Sequence, residues 1–117
     1  MPHVVLEGRI TIEDCQKHFQ PSVEREGDLL VKFDRFYLER GGRSALIETL
    51  VVDHGHTQKF FIHLSPKGDG ITVRLEPLTD PEKSAGVKRA LALAAHGIRK
   101  ATGGSYGKTN IGEFLIP

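Results

Sequence analysis

Residues 44–64 read SALIETLVVDHGHTQKFFIHL, two apolar-rich segments joined by a turn at residues 53–56. If that turn sets Val52 opposite Thr57, the two segments pair as antiparallel strands. One side of the pair is then apolar except for one threonine, and it consists of Ala45, Ile47, Thr49, Val51, Phe60, Ile62 and Leu64. The stretch therefore predicts a β-hairpin with one face turned towards a hydrophobic core.

The strand before this hairpin is predicted to be irregular. Residues 28–39 alternate between apolar and polar, but the apolar positions change parity between Phe33 and Phe36. One extra residue restores a common apolar face, so a β-bulge is predicted near Asp34 and Arg35.

The remaining segments predict two strands and two helices. Residues 3–10 and 71–76 alternate with a period of two. A short helix is predicted from Thr11, whose side chain is expected to cap it, and a long helix over residues 80–102. The long helix is expected to end at Gly103, and it carries an apolar stripe formed by Val87, Leu91, Ala94 and Ile98.

These elements predict an α+β fold in a single domain over residues 1–117. Its sheet is expected to be antiparallel and five-stranded, in the element order β-α-β-β-β-β-α, with the long helix packed on one face. Residues 103–117 are expected to form a Gly-rich C-terminal tail, in which residues 113–116 could dock as a short edge strand. The element order is similar to one repeat of the TATA-binding protein and to smaller helix-grip domains, without a matching motif, and such a likeness carries no function.

The composition is typical of a globular protein. Of the 117 residues, 38% are hydrophobic and 26% charged, and the formal net charge is +1. A disordered chain would be less hydrophobic, and a protein that binds nucleic acid by charge alone would be more basic. No signal peptide or membrane-spanning stretch is visible, so a cytoplasmic location is expected. The single cysteine, Cys15, has no disulfide partner and is expected to be buried.

Residues 103–109, GGSYGKT, resemble a phosphate-binding loop in composition. The first glycine of that motif would fall at Thr102, and the motif should follow a strand rather than a helix. A helix stop and tail is therefore the favoured interpretation of this segment.

The chain predicts no catalytic residue and no cofactor. Asp53, His54 and His56 crowd one turn and are weak candidates for a metal site, since three ligands on an exposed turn hold a metal poorly. No serine, cysteine or threonine stands in a recognisable nucleophile motif. The absence of such motifs favours a non-enzymatic function, but it does not decide whether the protein is an enzyme.

The side of the hairpin opposite the core face combines apolar, charged and aromatic residues. With neighbouring strands included, this mixed face consists of Tyr37, Leu46, Glu48, Leu50, Lys59, Phe61, His63 and Arg74. A solvated face would be more uniformly polar, so either a partner, a ligand or the C-terminal tail is expected to cover it. The alternative interpretation is that the apolar residues of this face are isolated and exposed, which is common on protein surfaces and requires no partner.

Three functions remain open. The favoured one is a non-enzymatic binding or interaction module that forms a homodimer through the mixed face, because that face carries both signs of charge. The second is a module that binds single-stranded nucleic acid, which the acidic residues on the face disfavour. The third is a carrier or enzyme with a small-molecule pocket between sheet and helix, whose ligand is unknown.

Overall fold

The protein is an antiparallel sheet with two helices on one of its faces. The computed structural model describes residues 1–117, and its elements in chain order are β1 (His3–Glu7), α1 (Ile12–His18), β2 (Ser22–Glu26), β3 (Leu29–Leu38), β4 (Ala45–Asp53), β5 (His56–Lys67), β6 (Gly70–Leu75), α2 (Ala85–Thr102) and β7 (Ser105–Thr109). A 3₁₀ turn at Gly112–Phe114 follows. The predicted α+β class is confirmed.

The sheet has seven strands in the spatial order β2-β3-β4-β5-β6-β1-β7, rather than the predicted five. All neighbouring pairs are antiparallel. Five strands follow one another as a meander, while β1 lies between β6 and β7. The two strands that the sequence pattern did not predict, β2 and β7, form the two edges of the sheet.

The edge strand β2 escapes prediction because it lacks apolar alternation. Its sequence, SVERE, holds one apolar residue, Val23, and 53% of that side chain is exposed. What holds β2 in the sheet is backbone pairing with β3, from Ser22 opposite Phe33 to Glu26 opposite Leu29. Such pairing leaves no hydrophobic pattern to read.

The segment predicted as a tail instead contains β7, and the edge strand lies at Ser105–Thr109 rather than at residues 113–116. Two glycines of this segment, Gly104 and Gly107, permit its close packing on β1 and the residues that follow β1. A Cβ atom at Gly104 would lie 2.6 Å from Ile10 Cδ1, and one at Gly107 would lie 2.9 Å from the Glu7 side chain. Two of the glycines that suggested a loose tail, Gly104 and Gly107, are therefore sites of close approach.

The central hairpin and the bulge are as predicted. Val52 pairs with Thr57, and Leu46 pairs with His63 at the far end of β4 and β5. The register between β3 and β4 shifts between Phe33 and Phe36, which confirms the bulge.

The helix α2 begins five residues later than predicted. Its N-cap is Ser84, whose Oγ accepts a hydrogen bond from the Val87 N–H, whereas Asp80 lies in a preceding turn with a φ of 25°. The residues just before α2 are not helical and contact β5, where the Glu82 N–H donates a hydrogen bond to Gln58 Oε1 at 2.8 Å. The capping box of α1, between Thr11 and Asp14, forms as predicted.

One cluster of 23 buried residues fills the space between the sheet and the helices. It includes the predicted apolar face of the hairpin, with Ile62 and Leu64 fully buried, and the helix residues Val87 and Leu91. Both ends of the chain contribute to the same core through Val4 and Ile111. Neither helix combines the length and apolar composition needed to cross a lipid bilayer.

Candidate functional site

The residues predicted for the mixed face lie together on the side of the sheet away from the helices. Cross-strand pairing sets Tyr37 beside Leu46, Leu46 beside His63, and His63 beside Arg74. Glu48 pairs with Phe61, and Leu50 with Lys59. The mixed face is therefore one continuous surface over β3, β4, β5 and β6.

Side chains on the mixed face interact with one another. The rings of Tyr37 and Phe61 meet edge to face with their centroids 6.0 Å apart, and the Tyr37 hydroxyl donates to Glu48 Oε1 at 3.4 Å. Arg74 Nε donates to His63 Nδ1, also at 3.4 Å. Partial burial, together with the Arg74 charge, lowers the pKa of His63 below its ordinary value of 6.5. His63 is therefore a neutral hydrogen-bond acceptor at neutral pH.

Next to these contacts the mixed face is indented. The mixed-face hollow has a volume of about 380 Å³ and is lined by Lys32, Asp34, Glu48, Thr49, Leu50, Lys59, Phe60, Phe61 and Thr79. Three of its nine lining residues are hydrophobic and four are charged, so the hollow offers both apolar and charged contacts.

A second concave site lies on the helix side of the sheet. This inner pocket has a volume of about 260 Å³, and its lining consists of Cys15, His18, Phe19, Gln20, Ser22, Glu24, Phe33, Phe36, Ile47, Leu93, Ala94, Gly97, Ile98, Ala101 and Thr102. Nine of these fifteen residues are hydrophobic. The lining comes from five elements and their connections: α1, β2, β3, β4 and α2.

The bulge in β3 builds one wall of the inner pocket. Phe33 faces the helices, and in an uninterrupted strand Phe36 would face the opposite side. The extra residue restores the parity, so both rings turn towards the pocket. Phe36 also contacts Phe19, which follows α1, with ring centroids 5.5 Å apart. A local irregularity thus supplies the aromatic part of the site.

The opposite wall is the C-terminal half of α2, which presents mainly small side chains. Ala94, Gly97 and Ala101 lie on one side of the helix at helical spacing. A Cβ atom built at Gly97 would have no other atom within 4 Å. Gly97 and Ala101 are both exposed, so they form the rim of the pocket, and a larger residue at either position would extend over its opening.

Polar groups surround the mouth of the inner pocket, while its interior is apolar. His18, Gln20 and Glu24 are exposed, whereas Cys15 is only 4% exposed. Burial raises the pKa of the Cys15 thiol to about 12, with a smaller contribution from the Asp14 charge. The thiol is protonated at neutral pH and is not a nucleophile.

An open groove between β2 and α2 adjoins the inner pocket and shares Glu24, Leu93, Gly97 and Ala101 with it. At one end of the groove, Arg89 forms two hydrogen bonds to the Glu26 carboxylate, at 2.8 and 2.9 Å. This ion pair connects the exposed edge strand to the helix. It also lowers the pKa of Glu26 below its ordinary value.

The other predicted sites do not come together. His54 lies 3.5 Å from an Asp28 carboxylate oxygen and 3.6 Å from one of Asp53, both in solvent contact. No group of three or more histidine, cysteine or acidic side chains is arranged to hold a metal ion. Most of the GGSYGKT segment belongs to β7, and its backbone pairs with β1 rather than wrapping a phosphate.

The inner pocket residues were not predicted from the sequence, because they are scattered over five elements whose packing no local pattern reveals. Two weak signals were present: the parity change at Phe33 and Phe36, and a glycine inside a long helix. Comparison with protein-family models, with curated proteins and with solved structures finds no match for this chain. The functional assignment therefore rests on geometry.

Proposed function

We propose that the protein is a non-enzymatic binding module that holds a small, mainly apolar molecule in the inner pocket. The observation that carries this proposal is the pocket itself, an apolar space of about 260 Å³ between the sheet and two helices. Ligand sites are typically concave and mainly apolar, with a few polar groups that orient the ligand. The inner pocket has this arrangement, since it is apolar inside and polar at its mouth.

The volume indicates the size of the ligand. One water molecule occupies about 30 Å³ of liquid and a dry apolar cavity of about 150 Å³ accepts benzene, while pockets for drug-sized ligands begin near 300 Å³. A pocket of about 260 Å³ suits one or two fused rings or a short acyl chain. His18, Gln20 and Glu24 at the mouth would bind a polar group at one end of such a molecule.

The chemistry of the lining supports binding rather than catalysis. The one thiol in the pocket, Cys15, is held protonated by burial. The remaining titratable groups, His18 and Glu24, lie at the exposed mouth rather than over the apolar interior. General acid or base chemistry needs such a group next to the reacting atoms.

The test measures binding of a two-ring apolar fluorophore, 1-naphthol, to the wild type and to three variants. Gly97→Leu and Ala101→Leu add a leucine at the exposed rim of the pocket, and both are expected to weaken probe binding by at least about tenfold, which corresponds to ~1.4 kcal/mol. Ala85→Leu is the matched control, since it adds the same side chain to an exposed alanine at the other end of α2.

Two results would overturn the proposal. One is a folded wild type that does not bind the probe at millimolar concentration. The other is equal binding by Gly97→Leu, Ala101→Leu and Ala85→Leu, which would place the probe elsewhere on the surface.

A further inference from the structure

We infer that a second copy of this chain covers the mixed face in a two-fold dimer, with Leu78 of each protomer seated in the mixed-face hollow of the other. This inference concerns the opposite side of the sheet from the inner pocket. It does not depend on the proposed ligand.

Leu78 is an anchor without a partner in the monomer. The leucine is 93% exposed, the highest value among the large apolar side chains. Its turn is ordered, because the Leu78 N–H donates to Glu76 Oε1 at 3.3 Å and the Thr79 N–H donates to the Glu76 carbonyl at 3.1 Å. An apolar side chain displayed by an ordered turn loses little entropy when a partner buries it.

The hollow lies directly beside this anchor. Thr79, the next residue, lines the hollow, and its Oγ1 accepts a hydrogen bond from the Phe61 N–H of β5 at 3.1 Å. Leu50, Phe60 and Phe61 supply the apolar part of the lining. Anchor and hollow therefore belong to one rigid surface.

The charged residues around the hollow can pair with those of a second copy of the same surface. Two cations, Lys32 and Lys59, and two acids, Asp34 and Glu48, line it. A two-fold axis brings a patch against its own copy, so a patch of one sign would repel itself and a balanced patch can pair. This balance favours a second copy of the chain over nucleic acid, since the two acids would repel phosphates.

The closeness of anchor and hollow also favours a closed dimer. A rotation that places one Leu78 in the hollow of the partner places the partner's anchor in the hollow of the first, so both sites are filled at once. Val23 and Tyr37, which are 53% and 43% exposed, give further apolar area on the same side of the sheet.

The experiment is sedimentation equilibrium of the wild type, Leu78→Asp and Leu38→Asp. The wild type is expected to be dimeric at about 100 µM, and Leu78→Asp is expected to raise the dimer Kd at least about tenfold by burying an unpaired charge. Leu38→Asp is the matched control, because this leucine is 40% exposed but pairs with Ala45 on the helix side of the sheet. Its dimer Kd is expected to equal that of the wild type.

Two results would overturn the inference: a monomeric wild type at about 100 µM, or equal effects of the two aspartate variants. If the monomer also bound a single-stranded oligonucleotide with steep salt dependence, a nucleic-acid-binding module would replace the dimer. Probe binding in the inner pocket is measured on the same samples. Leu78→Asp is expected to leave it unchanged, so loss of the dimer and loss of the ligand site are separate outcomes.

Discussion

At the scale of single residues, Gly97 links stability to the proposed ligand. Glycine inside a helix is about 0.8–1 kcal/mol less favourable than alanine, and it is normally explained by a neighbour that leaves no room for a side chain. No such neighbour exists here, since a Cβ atom at Gly97 would point into open space. Gly97 is exposed at the rim of the inner pocket, and a side chain at this position would take up part of the pocket opening.

Gly97→Ala is therefore expected to stabilise the unliganded protein by about 0.5–1 kcal/mol. Urea unfolding monitored by circular dichroism measures the change. Ala101→Gly, the reverse substitution one turn later on the same helix, is expected to destabilise by a similar amount. A loss of stability in Gly97→Ala would mean that the added methyl group clashes with a neighbour and that the space at Gly97 is closed in solution.

At the scale of elements, the two halves of α2 have different surroundings. The first half packs on the sheet through fully buried residues, among them Val87, Ala90 and Leu91. The second half lines the inner pocket with Leu93, Gly97 and Ala101. One helix thus both completes the core and leaves a concave site beside it, because its residues become more exposed towards Thr102.

Truncation of two leucines in α2 is expected to distinguish the two surroundings. Leu91→Ala should destabilise by about 2–5 kcal/mol, since the side chain is fully buried against the sheet. Leu93→Ala should lower the free energy of unfolding by no more than about 1 kcal/mol, because that side chain is only partly buried and borders the inner pocket. Chemical denaturation gives both values. Equal losses would contradict the division of the helix.

At the scale of the whole molecule, the features that can be predicted from the sequence are those that local residue patterns determine. The hairpin register from Val52 opposite Thr57 was predictable because a short turn aligns two strongly alternating strands. The strands β2 and β7 were not predictable, since backbone pairing and close glycine packing hold them without an apolar pattern. The mixed face follows from strand alternation, whereas the inner pocket depends on how α1 and α2 are placed over the sheet. That placement is a tertiary property.

The position of β1 within the sheet has a consequence for the order of folding. The strands β2 to β6 pair with sequence neighbours through short connections, whereas Val4 of β1 pairs with Val73 and Thr109. Contacts so far apart in the chain require closure of long loops, which slows their formation relative to local hairpins. We expect β1 to enter the sheet only after β6 is in place, and β7, whose only partner is β1, to enter with it or after it. In pulsed hydrogen exchange during refolding, the amide of Leu6 should then gain protection later than that of Val51, and simultaneous protection would instead indicate a single concerted step.

Before β1 pairs, the meander would have β6 as an unpaired edge strand. In that interval the chain would be most exposed to association with other chains through β6, the strand that β1 later covers.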